Sequence, residues 1–134
     1  MKDNFFGFGE ISQLEAKNMS PVSLAFVGDA VYTLYIRTKL TRNSTAKAGA
    51  LHKLSSSYVK AEAQAKAMQS LEGKISADEE YIFKRGRNAK TSNTAKNASM
   101  IEYKMATGFE TLMGYLYLTG ENERLVEILN MIGE

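Results

Sequence analysis

The sequence predicts an all-α fold. Helix-start signals recur along the chain: Ser20-Pro21, and the capping boxes Ser76–Glu79 and Ser99–Glu102. Two apolar runs, Leu24–Ile36 (LAFVGDAVYTLYI) and Met105–Leu118 (MATGFETLMGYLYL), are apolar nearly all round a helix, the pattern of buried helices. No segment shows sustained period-two alternation with hairpin turns, so no strand is expected.

The elements follow in order. Ser20 is an N-cap and Pro21 a first helical residue whose missing N–H costs nothing there. This helix is expected to run to about Thr41, broken by Arg42-Asn43-Ser44. Thr45 is suited to cap a short helix, Ala46–Leu54. A longer one, Tyr58–Leu71, is rich in Ala, Lys, Gln and Glu, which are strong helix formers, and Gly73 ends it. The Ser76 capping box opens a helix over Ala77–Lys84. Gly86–Ala98 (GRNAKTSNTAKNA) lacks helical pattern and reads as an exposed polar loop. The Ser99 box opens the second apolar helix, with Gly120 placed as its C-terminal stop. Glu121–Ile132 closes the chain as an amphipathic helix with Leu125, Ile128, Leu129 and Ile132 on one face.

At 134 residues, residues 1–134 are expected to form a single domain. Apolar residues at 44% and charged residues at 24% give an ordinary globular balance. With no Cys, a disulfide framework, a thiolate metal site and a Cys nucleophile are excluded, and a reducing compartment is compatible. The N-terminus MKDNFFGFGE has neither a long apolar core nor a small-residue cleavage site, so no signal peptide is expected. The apolar runs are too short for a membrane span. The expected location is the cytoplasm.

Each apolar run carries one charged residue: Asp29 in the first, Glu110 in the second. Removing a carboxylate from water costs several kcal/mol unless it is paired or holds a metal. Gly28 precedes Asp29, and Gly114 follows Glu110 by one turn. Small residues allow helix backbones to approach, so the two helices are expected to cross where the acids lie. Two acids with water and phosphate oxygens suit Mg²⁺, which keeps several waters. The bland alternatives are ion pairs with Arg37 or Lys104, or a helix edge in solvent.

From Lys84 to Lys96 there are five basic residues (Lys84, Arg85, Arg87, Lys90, Lys96) and no acid. With Asn88, such a loop can follow a phosphate backbone; the bland alternative is a solvated loop after a helix C-terminus. His52, the only histidine, reads as a packed or surface residue. Tyr32, Tyr35, Tyr115 and Tyr117 read as core or subunit-interface residues. There is no G-x-S-x-G elbow and no Walker or Rossmann glycine loop.

The run LAFVGDAVYTLYIR at Leu24–Arg37 resembles the signature helix of the ribonuclease III family. FETLMGYLYLTG at Phe109–Gly120 resembles that family's second catalytic helix. KRGRNAKTSNTAKNA at Lys84–Ala98 is similar to the loop of a compact subfamily, Mini-ribonuclease III (Mini-III). Order, spacing and length agree from about Ser20 to Leu129.

The resemblance implies a helical endonuclease domain that cuts double-stranded RNA with Mg²⁺, with Asp29 and Glu110 as catalytic, metal-binding acids. It implies a homodimer with one site per subunit, and a two-fold dimer matches the local dyads relating the strands of a duplex. It also implies a role in maturation of large-subunit (23S) ribosomal RNA. Full-size family members carry acids four and seven residues before the signature Asp, where this chain has Ala25 and Val22. They carry another three residues before the Glu, where it has Thr107. The metal shell is therefore expected to be poorer in carboxylates, with water or the Thr107 hydroxyl filling in. No double-stranded-RNA-binding domain is expected after Glu134, so affinity is expected from this domain, with a ribosomal protein or RNA as a possible helper. The competing reading is a non-catalytic RNA- or ribosome-binding helical module.

Overall fold

The computed structural model describes residues 6–43, 45, 47–90 and 99–132. Among them are seven helices and no strand: α1 (Gln13–Asn18), α2 (Pro21–Asn43), α3 (Ala48–Val59), α4 (Ala61–Ser70), α5 (Ala77–Arg87), α6 (Met100–Leu118) and α7 (Asn122–Met131). The all-α expectation holds.

α6 is the central helix. It packs against α2, α5, α4, α7 and α1, which is why its sequence is apolar on nearly every side. Phe109, Leu112 and Met113 are fully buried, and Tyr32 of α2 meets the Phe109 ring edge-on at 4.8 Å between centroids. Truncating such a buried ring to Ala costs about 3–5 kcal/mol. Ser99 and Glu102 form the expected capping box at the α6 N-terminus. At its end Gly120 adopts φ +72°, and the Glu121 N–H donates to Leu116 O at 2.9 Å, a Schellman-type closure.

Three boundaries and one additional helix differ from expectation. The break between α3 and α4 falls at Lys60, whose extended backbone ends one helix and starts the next. Ser55, Ser56 and Ser57, which fall between the two expected helices, lie inside α3, where Ser56 and Ser57 bond back to the carbonyls of His52 and Leu54. Thr45 does not cap α3: Lys47 holds the N-cap position without a side-chain bond, and Ala46 lies outside the described residues. α5 continues through Gly86 to Arg87, because Gly86 is pressed against Gly108 and Thr111 of α6, and that contact overrides glycine's poor helix propensity. α1 was not expected, although Ser12 caps the Glu15 N–H in the same Ser-x-x-Glu spacing as the two boxes that were read.

α2 is also not buried all round. Leu24, Gly28, Tyr32 and Ile36 face the core, whereas Val22, Phe26, Asp29, Ala30 and Leu34 form an exposed stripe on its other side.

Candidate active site

α2 and α6 touch backbone to backbone. A Cβ on Gly28 would overlap the carbonyl oxygen of Glu110, and one on Gly114 would overlap that of Leu24. The crossing is therefore set by absent side chains, at the place anticipated from Gly28 and Gly114. Thr111 fastens it further, its hydroxyl shared between the carbonyl of Thr107 at 2.7 Å and that of Pro21 at 3.2 Å.

The crossing brings the two acids together. Glu110 is half-buried and Asp29 is exposed, so the pair sits at the rim of the helix layer rather than in the core. The carboxyl of Glu110 is pushed up to about 8, first by its burial, then by the charge of Asp29 and a hydrogen bond between the two carboxyls; a hydrogen bond from Gln64 opposes the rise. Like charges at this range call for a shared proton or a cation. Among the described residues neither acid forms an ion pair with Arg37 or Lys104.

The donor set fits a hard divalent cation such as Mg²⁺, which needs only one or two carboxylates and keeps water on its other positions. Among the described residues no group of three or more His, Asp or Glu side chains is placed to hold a metal. Val22 is exposed and Ala25 buried at the positions of the two upstream acids, and the Thr107 hydroxyl donates to Tyr103 O at 3.0 Å.

Gln64 of α4 completes the surroundings. It is 1% exposed, and its Nε2 donates to Val59 O at 3.0 Å and to Glu110 Oε2 at 3.2 Å. An amide in an Ala-rich segment reads from sequence only as a helix former, so this contact was not foreseen.

Residues 22–121 match the Ribonuclease III domain family. The chain is 44% identical to Mini-ribonuclease 3 of Clostridium tetani over 98% of its own length and 87% of that protein's. It is 45% identical to Mini-ribonuclease 3 of Thermoanaerobacter sp., covering 98% and 95%, and 48% identical to that of Enterococcus faecalis, covering 85% and 88%. The chain belongs to the Mini-ribonuclease 3 family. A solved structure of a Fusobacterium nucleatum protein has the same fold, with a TM-score of 0.79, 27% identity, and coverage of 90% of this chain and 95% of that one. The chain is thus an endoribonuclease of the ribonuclease III family, and its substrate is RNA.

The basic residues expected to contact RNA divide into distinct groups in this Mini-ribonuclease 3 chain. Lys84 is exposed and pairs with Glu80 at 3.3 Å. Arg87 lies over the Phe83 ring, 5.7 Å from its centroid, and its Nε donates to Asn88 Oδ1 at 3.1 Å. Lys90 is exposed just beyond α5. Arg85 instead turns inward: it donates to Lys17 O at 2.5 Å and Met19 O at 3.4 Å, closing the C-terminal end of α1. Lys96 lies outside the described residues, as do residues 91–98 of the loop. His52 is exposed and lines a small cleft with Arg37, Thr41 and Ser55, between α2 and α3. Of the tyrosines, Tyr32 and Tyr115 are core, whereas Tyr35 and Tyr117 border a groove beside Asp29.

A second basic surface was missed. Between Asp29 and Glu62 there is no acid, yet Arg37, Lys39, Arg42, Lys47, Lys53 and Lys60 are all present. Their spacing among Ala, Leu and Ser hides the excess from a search for charge runs. Lys60 joins α3 to α4, next to the Val59 carbonyl that Gln64 holds, so this stretch ends close to the acid pair.

Proposed function

We propose that this chain is a Mg²⁺-dependent endoribonuclease that cuts both strands of duplex RNA as a homodimer, residues 1–134 acting as one catalytic domain. The observation that carries the reading is the meeting of Asp29 and Glu110 at the Gly28–Gly114 crossing, in a chain of the ribonuclease III family. Asp29 and Glu110 would hold the cation. Bound there, it supplies neutralisation of phosphodiester charge and an acidified water. Glu110 must first give up its proton. Because Asp29 lies at the surface, a duplex backbone can reach the pair without an opening of the fold. Lys84, Arg87, Asn88, Lys90 and Lys96 would hold phosphates on one side, and the acid-free stretch from Arg37 to Lys60 on the other. Recognition rests on A-form shape, phosphates and 2′-hydroxyls, since side chains cannot read the deep, narrow major groove. Arg85, committed to α1, drops out of the contact set.

The exposed stripe of α2 supports the homodimer. Phe26 is 82% exposed, and with Val27, Leu34, Tyr35, Tyr117 and Val126 it lines an apolar groove that runs past Asp29. A patch of that kind marks an interaction site. A second copy of the same stripe is its natural cover, since a two-fold interface is self-complementary. The seam would then place two acid pairs on one duplex. Within this reading the substrate is a precursor of large-subunit (23S) ribosomal RNA, handled in the cytoplasm, with a ribosomal protein as a candidate helper. Among the described residues no helix is long and apolar enough to cross a membrane.

Asp29→Asn tests the assignment. Duplex RNA cleavage is expected to fall by more than about 100-fold, the upper end of what losing a mere outer-shell partner costs, while gel-shift affinity for the same duplex holds. Wild-type cleavage by Asp29→Asn would overturn it.

A further inference from the structure

We infer that Gln64 is the positioning residue of the acid pair, clamping the Glu110 carboxylate in place for the cation through a single amide braced on the backbone between α3 and α4. The inference rests on the reading of Asp29 and Glu110 as the metal-binding pair.

The amide's orientation is fixed by chemistry. Both of its near neighbours, Val59 O and Glu110 Oε2, are acceptors, at 3.0 and 3.2 Å. Only the NH₂ end can face two acceptors, since a flipped amide would set its oxygen against two others. The carbonyl end, Oε1, is then left buried with no protein partner, the one such side-chain atom among the described residues. A buried unpaired oxygen is destabilising. A leucine would fill the same space between α4 and α6, beside Ala65 and Met68, without that defect. It would also leave Val59 O and Glu110 without the donor the amide supplies, so the amide serves the α3–α4 junction and the acid pair together.

Glu110 lies on α6 and Asp29 on α2, and the glycine crossing fixes their backbones but not their rotamers. Gln64 reaches Glu110 from a third helix, and its other N–H is anchored to Val59 O, so the amide cannot swing away with the carboxylate. Glu110 Oε2 is thereby held by the amide, while the same carboxyl also hydrogen-bonds Asp29. Partners of this kind, one shell out from a metal, orient the ligand and are worth about 10–100-fold in metal affinity or activity.

The test is Mn²⁺ binding to the full chain without RNA, measured by isothermal titration calorimetry on wild type, Gln64→Leu and Asp29→Asn. Gln64→Leu is expected to bind Mn²⁺ about 10–100-fold more weakly. Its kcat should fall at fixed Mg²⁺, while its metal-free affinity for duplex RNA stays at wild type. A merely structural amide would lower the unfolding midpoint and leave Mn²⁺ affinity alone. Should Gln64→Leu fail to fold, Gln64→Met, unbranched and of similar length, carries the same readouts. Mn²⁺ affinity in the folded variant indistinguishable from wild type overturns the inference. If Asp29→Asn also binds Mn²⁺ as wild type does, the acid-pair reading itself has failed. If Asp29→Asn loses Mn²⁺ and Gln64→Leu does not, only the role of Gln64 has.

Discussion

α6 is crossed by glycine contacts on two sides, and the two crossings do different things. On one side Gly28 of α2 meets Gly114, and a methyl on either would strike a helix carbonyl oxygen, of Glu110 or of Leu24. On the other side Gly86 of α5 meets Gly108, and a methyl on Gly86 would strike the Thr111 side chain and lie 2.9 Å from Gly108 Cα. The first crossing gathers like charge, because Asp29 and Glu110 flank it. The second aims a helix end, because Arg87, Asn88 and Lys90 follow directly from Gly86. The same small residue thus serves one face of α6 by bringing carboxylates together and the other by fixing where a basic segment begins.

Breaking the two contacts should separate them by size. Gly114→Ala sets a methyl against a helix carbonyl that cannot rotate away, so a loss of about 4 kcal/mol or more is expected, enough to unfold a marginal domain. Gly86→Ala meets the Thr111 hydroxyl, which can give up its bonds to Pro21 and Thr107, and then fixed atoms farther off than the carbonyl facing Gly114, Thr111 Cβ at 2.6 Å and Gly108 Cα at 2.9 Å. A cost of about 1–3 kcal/mol is expected there, typical of overpacking. Urea unfolding of both variants checks the order; equal losses would mean the Gly28–Gly114 contact is looser than its backbone geometry implies.

The first crossing should also carry a pH signature that the second lacks. With its carboxyl pushed up to about 8, Glu110 holds a proton in the metal-free fold at neutral pH and none in the unfolded chain. The folded state then binds more protons, so stability falls as pH rises from the ordinary carboxylate range through about 8. The expected loss between pH 5 and pH 8.5 is on the order of 3 kcal/mol, below the ceiling that the full shift would give. Glu110→Gln should flatten that slope, and excess Mg²⁺ should reverse it, since a bound cation favours the ionised pair. A metal-free chain whose unfolding midpoint holds constant over this range would show that Glu110 is neither buried nor faced by Asp29 as the structure has it.

Much of this was legible in the sequence, and the parts that were not share a cause. The capping boxes at Ser76 and Ser99 were readable because they satisfy helix ends with residues three apart. The Gly28–Gly114 crossing was readable because each glycine sits inside an apolar run beside a lone acid. Gly86 has the same role but sits in a polar segment, where local propensity says loop, and only its contact with α6 makes it helical. The exposed side of α2 was misread for the converse reason. A helix apolar all round need not be buried by its own chain, and its outer stripe gives no local sign of what covers it. Arg85 and Gln64 have roles set by residues far along the chain, Lys17 and Met19 for one and Glu110 for the other, which no local pattern encodes.

That last distinction, between basic residues turned inward and outward, gives the smallest expected effect and the finest test of the second crossing. Each phosphate contact contributes about 0.7–0.9 to the slope of log affinity against log salt. Arg87 and Lys90 project from the end of α5 held by Gly86, so Arg87→Ala and Lys90→Ala should each lower the slope for duplex RNA by about 1 and weaken binding evenly across sequences. Arg85 stands one residue before Gly86 but spends its guanidinium on the α1 carbonyls. Arg85→Ala should leave the salt slope unchanged and instead cost about 1–2 kcal/mol of stability, the loss of charge-assisted bonds to two carbonyls that close a helix. Measuring the slopes by fluorescence anisotropy from 50 to 200 mM salt, the range over which such contacts separate, decides between the two roles. A slope that drops for Arg85→Ala as it does for Arg87→Ala would mean the guanidinium leaves α1 for the duplex, and the division of labour around Gly86 would go with it.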